Sequence, residues 1–88
     1  MPEIELTERF KKAYAGLPSP IQKKVKKALR LLANDPRHPS LQSKPVEGAP
    51  GIFETRVDQN YRMTYERLPG DLLRVRVIGK HDETLKKP

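Results

Sequence analysis

Lys80, His81 and Asp82 stand in a row directly after Gly79, where an apolar, strand-like run ends. An imidazole exchanges protons near neutral pH. Cleavage of a phosphodiester by the neighbouring 2′-OH needs no metal. It needs a group to take the hydroxyl proton, cations for the pentavalent phosphate and an acid for the departing 5′-oxygen. His81 can serve as the base or the acid, and Arg62, Arg56, Arg76 and Lys80 can supply the cations. Asp82 either orients the imidazole or caps the chain turn. The plain alternative for His81 is a surface histidine at a strand end.

Other chemistries find less support. His38 and His81 fall in separate loops and cysteine is absent, so no metal-ligand spacing exists and no metal or small-molecule cofactor is expected. All five glycines fall at turns, and none opens a helix as a phosphate loop would. Ser19, Ser40 and Ser43 lie in loops without a nucleophile elbow.

The residues that could act must be carried by a few short elements. Ile4 and Leu6 alternate with acids over residues 3–6, a half-exposed strand. Thr7 is the expected N-cap of a helix whose apolar stripe is Phe10, Ala13, Tyr14 and Leu17. "GLPSP" breaks that helix, with Ser19 as the cap and Pro20 as the first residue of a second one over about residues 20–33. Its apolar stripe is Ile21, Val25, Ala28, Leu29 and Leu32, and Lys23, Lys24, Lys26, Lys27 and Arg30 take the other side. Residues 34–51, rich in proline and glycine, read as loop.

Three strands follow, over 52–57, 61–68 and 71–79, joined by turns at Asp58-Gln59-Asn60 and Pro69-Gly70. Alternation places Phe53, Thr55, Val57, Tyr61, Met63, Tyr65, Leu73, Val75 and Val77 on one face, toward the helical hairpin. The other face carries Glu54, Arg56, Arg62, Thr64, Arg74 and Arg76. The fold class is α+β, one domain over residues 1–88, with a helical hairpin packed on an antiparallel meander. Four arginines on one sheet face repel one another unless something negative lies between them. A phosphate backbone, an acidic partner or internal pairing with Glu54 and Glu66 would each meet that need.

Charge is polarised along the chain. Between Arg9 and Lys44 there are ten Lys or Arg and one acid, Asp35, whereas the remainder holds eight basic and ten acidic residues. Such a surface suits a polyanion or an acidic protein. The acidic N-terminus lacks the basic and apolar regions of a signal peptide, and no apolar run reaches membrane-spanning length. A cytoplasmic protein with no membrane partner is the expectation.

In order and in phrase, the chain resembles the RelE/ParE superfamily of type II toxin–antitoxin toxins. The phrases are "F...Y..LP..IQKKVKKALRLL", "DPRHPSL..KP..G", "FETRV..NYRMTYE" and "VRVIGKHD", and they cover nearly the whole chain. The resemblance implies a β-α-α-β-β-β core and neutralisation by a cognate acidic antitoxin. Its RelE-like branch cleaves mRNA in the ribosomal A site without a metal, and its ParE-like branch poisons DNA gyrase. "NYRMTY" gives Arg62 the role of stabilising the scissile phosphate, and the position after Gly-Lys gives His81 a catalytic one. Arg56 lies in a strand that contributes further basic residues, and Lys44 is a looser candidate for substrate contact. Arg74, Arg76, Lys23, Lys27 and Arg30 are expected to bind mRNA and rRNA or the antitoxin. Leu85 stands where a tyrosine commonly follows. The expectation is therefore a translation-inhibiting mRNA endonuclease. The alternatives are a gyrase-inhibiting toxin and a non-catalytic antitoxin- or RNA-binding member of the fold.

Overall fold

The computed structural model describes residues 2–80, Thr84 and Pro88. Strand β1 (Glu3–Leu6) leads into helices α1 (Glu8–Ala15) and α2 (Ser19–Asn34). A short 3-10 turn (Pro39–Leu41) precedes β2 (Lys44–Pro45), β3 (Ile52–Arg56), β4 (Tyr61–Leu68) and β5 (Leu72–Lys80). The strands form one sheet in the order β1-β5-β4-β3-β2, with β1 parallel to β5 and the other pairings antiparallel. The two helices pack on one face of this mostly antiparallel sheet. Among the described residues, no helix is long and apolar enough to cross a membrane.

Thr7 joins the first strand to the first helix as its sequence indicates. Its Oγ1 accepts from the Phe10 amide at 3.1 Å and donates to the Arg76 carbonyl at 2.8 Å. The second helix starts one residue earlier than expected. Pro18 is its N-cap and offers no side-chain acceptor, so Ser19 lies inside the helix, and the Pro18 carbonyl accepts from Ile21 and Gln22. The apolar stripe behaves as its spacing requires: Val25, Ala28 and Leu32 are buried, and Ile21 and Leu29 pack at the margin.

Residues 34–51 are not simply loop. They contain the 3-10 turn, which buries Leu41 in the core, and the two-residue β2, which pairs with β3. Thr55, fully buried, donates to the Leu41 carbonyl at 2.9 Å and so fastens this segment to β3. Gly70 at φ 82 serves the last turn as its position after Pro69 requires, and Asp71 follows in the left-handed region at φ 57.

One expected core residue changes face. Tyr65 pairs with Val75 but Thr64 pairs with Val77, so Arg76 is an extra residue, a β-bulge in β5. Beyond it the alternation is offset by one: Ile78 pairs with Met63 in the core, and Val77 turns to the face away from the helices. Strict period-2 reading from Leu73 could not register this, because both residues are apolar.

Candidate functional site

The sheet face away from the helices, the outer face, carries most of the basic residues of interest. Cross-strand register sets them in rows. Arg56, Arg62 and Gly79 form one; Lys44, Glu54, Thr64 and Val77 form the next; Ile52, Glu66, Arg74 and Glu5 form a third.

Arg74 and Arg76 are internally paired. Arg74 meets Glu5 at 3.1 Å and Glu66 at 3.3 Å, and Arg76 meets the same Glu66 at 3.2 Å. Glu5, more than Glu66, raises the pKa of Arg74. Arg76 Nε also donates to the Pro88 main-chain oxygen at 2.9 Å. These two arginines therefore answer one another's repulsion through a shared carboxylate.

Arg62 is held differently. Its Nη1 donates to the main-chain carbonyls of Asp58 at 2.6 Å and Tyr61 at 3.2 Å, so no carboxylate neutralises it among the described residues. Arg56 lies opposite Arg62 on the next strand and makes no ion pair with a described residue. Two cations on adjacent strands with no acid between them favour an anion. Lys44, from the segment read as loop, reaches the same face through β2. Its ammonium lies 3.5 Å from the Glu54 carboxylate, which is buried to 3% exposure while Lys44 is 66% exposed. Lys44 thus answers an acid that the outer face would otherwise bury alone.

Lys80 departs from the expected arrangement. It pairs with Tyr61, one residue out of phase with Arg62 and Gly79, so the register starts its side chain on the helix-facing side. His81, Asp82 and Leu85 lie outside the described residues. Thr84 is buried over the outer face; its hydroxyl donates to the Lys80 carbonyl at 2.9 Å and lies 3.5 Å from that of Arg62. Thr64, also buried, donates to the Pro88 main-chain oxygen at 3.1 Å.

Lys23, Lys27 and Arg30 are exposed along one side of α2 at i, i+4 and i+7, away from the outer-face rows. His38 is structural: its Nδ1 accepts from the Ser40 amide at 3.2 Å and caps the 3-10 turn. Among the described residues, no three His, Asp or Glu side chains converge as a metal site would require.

Sequence reasoning passed over Asp58 as a mere turn residue. Its Oδ1 accepts from the amides of Asn60 at 2.8 Å and Tyr61 at 2.9 Å, and its Oδ2 meets Lys24 at 3.2 Å. Burial pushes this carboxyl up, but the two amides and the ammonium outweigh it and hold the pKa below the ordinary aspartate value. The signal was an Asp two residues before Asn in a hairpin, the pattern of an Asx turn.

No family model and no curated protein sequence matches the chain. Solved structures do. The RelE–RelB complex of Methanococcus jannaschii contains a chain with TM-score 0.74 and 21% identity, covering 96% of this chain and 99% of that one. The intact RelBE toxin–antitoxin complex of E. coli gives 0.72 and 22%, over 91% and 96%. YafQ of E. coli gives 0.72 and 23%, over 94% and 97%. With its two helices on one face of a five-stranded sheet, this chain has the same fold as those RelE and YafQ chains.

Proposed function

We propose that the chain is the toxin of a type II toxin–antitoxin system and acts as a metal-independent, ribosome-dependent mRNA endonuclease that inhibits translation. The observation that carries this reading is the pair Arg62 and Arg56 on the outer face, cations without a carboxylate between them among the described residues. A scissile phosphate seated there gains charge as the 2′-oxygen adds to phosphorus, and fixed guanidinium groups stabilise that charge without reorganising. His81, one residue beyond the end of β5, is assigned the proton transfer, taking the 2′-OH proton or returning one to the 5′-oxygen, with Asp82 orienting it. Lys44, from β2, offsets the buried Glu54 carboxylate that would otherwise repel the phosphate, and Lys80 is reserved for flanking phosphate because of its side of the strand.

The structural neighbours RelE and YafQ were solved with the antitoxins RelB and DinJ. By the same reading, an acidic antitoxin is the partner of this chain, attracted by the basic side of α2.

Inducible expression with mapping of mRNA ends on translating ribosomes tests the activity. Growth arrest with cleaved mRNA, lost in Arg62→Ala and in His81→Ala while both variants stay folded, is the expected result. Intact mRNA with blocked supercoiling would instead select a gyrase inhibitor. No growth defect at all would select a binding module.

A further inference from the structure

Between α2, the 3-10 turn and the β3–β4 turn lies a cavity of about 380 Å³, open to solvent. Lys24, Lys27, Ser40, Gln42, Arg56 and Asp58 supply its polar lining. Three of these are cations and one is an acid. That acid is already engaged, with one oxygen on two backbone amides and the other on Lys24. Lys27 and Arg56 make no ion pair with a described residue, so the cavity presents unneutralised positive charge beside the side-chain amide of Gln42, while the Ser40 hydroxyl is engaged by His38 Nδ1 at 2.7 Å. It is also joined to the outer face. Arg56 is the cross-strand partner of Arg62, and Asp58, in the cavity wall, holds Arg62 through its carbonyl.

We infer that this cavity is a second phosphate subsite, which receives a backbone phosphate of the same RNA strand flanking the one at Arg62. The inference rests on the endonuclease reading and adds a direction to it: the strand leaves the outer face around the β3–β4 turn and runs toward α2. A compact tetrahedral anion suits a cleft with cations on two walls, Lys27 of α2 and Arg56 of β3, and the Gln42 amide as a neutral donor. An acidic protein segment is the weaker match, because the lining comes from three separate elements around one cavity of about 380 Å³ and not from one extended stripe.

The test is a titration of the full-length, 15N-labelled chain with a short 2′-O-methyl oligoribonucleotide, which cannot be cleaved because its nucleophile is capped. The amide signals of Ser40, Gln42 and Val57 are expected to shift and saturate. Lys27→Gln should weaken binding roughly 5- to 10-fold and lower the slope of log K against log salt by about one. Lys12→Gln, on α1 and remote from the cavity, should change binding by less than about twofold. Lys27 is exposed, so its variant folds. Silent cavity signals overturn the inference. So does an equal response to inorganic phosphate at matched phosphate concentration, which marks a free-anion site, or a response to poly-glutamate and not to the oligonucleotide. Intact mRNA in expressing cells would refute the endonuclease reading by itself, while the titration separately decides whether the cavity takes a strand.

Discussion

Arg62 donates from Nη1 to the main-chain oxygen of Asp58 at 2.6 Å, while the Asp58 carboxylate gathers the amides of Asn60 and Tyr61 and the ammonium of Lys24. A single turn residue therefore fixes the outer-face arginine through its backbone and the basic helix through its side chain. The hairpin turn positions the site as much as the strands do.

Asp58→Ala is expected to cost about 1–2 kcal/mol, because two turn amides lose their acceptor and Lys24 its partner. For a domain of this size that is a fall in Tm of roughly 5–15 °C. The folded-state pKa of Asp58 lies below its unfolded value, so its contribution is fully present above the unfolded pKa and is lost as pH falls through the folded one. The gap between wild type and Asp58→Ala should stay constant above about pH 5 and shrink below about pH 4. Thermal unfolding of both proteins across that range checks it, and a gap that widens on acidification would contradict the assigned cause.

The bulge at Arg76 makes its own prediction. Ile78 is 2% exposed and lies in the core beside Met63, whereas Val77 lies on the outer face outside the core cluster. Ile78→Ala should cost about 2–5 kcal/mol and Val77→Ala about 1–2. Denaturant titration that ranks them the other way would mean that β5 runs without the bulge.

How far the chain could be read in advance follows from the same two residues. Period-3.6 stripes with capping and proline signals located both helices, and period-2 alternation placed the arginines on the face away from them. Alternation cannot report a bulge between adjacent apolar residues, so it places Val77 in the core instead of Ile78. Following Gly79, Lys80 reads as emerging beside the arginine-bearing face, but β5 extends through it, and its register partner Tyr61 puts it on the other side. The β2 strand escaped notice because two residues carry no periodicity; its position depends on pairing with β3. Arginine identity could not separate the two that share Glu66 from the two that have no carboxylate among the described residues. Only three-dimensional pairing divides those roles.

Arg62→Lys separates charge from geometry. A lysine keeps the positive charge but cannot hold two carbonyls with one part of a planar fork while presenting the rest to a phosphate. Cleavage by Arg62→Lys should fall on the order of 10- to 100-fold, nearly as far as in Arg62→Ala, with Tm close to wild type. Near-complete rescue by lysine would show that Arg62 acts only as a diffuse charge.

Thr84 supplies the last test, through its contact with the strand that carries Gly79. It is 1% exposed, its hydroxyl donates to the Lys80 carbonyl at 2.9 Å, and a Cβ added at Gly79 would stand 3.3 Å from that hydroxyl oxygen. The bare backbone of Gly79, opposite Arg62, is thus the seat that lets Thr84 lie against the outer face. Thr84→Val keeps the shape and removes the donor, so it should cost about 1–2 kcal/mol for the carbonyl left without it. Gly79→Ala crowds the same oxygen and should lower stability less, by roughly 0.5–1.5 kcal/mol. Because both changes act on one contact, the double variant should lose less than the sum of the two by at least about 0.5 kcal/mol. Unfolding all four proteins in urea measures that coupling, and strictly additive losses would show that Gly79 and Thr84 stabilise the chain independently.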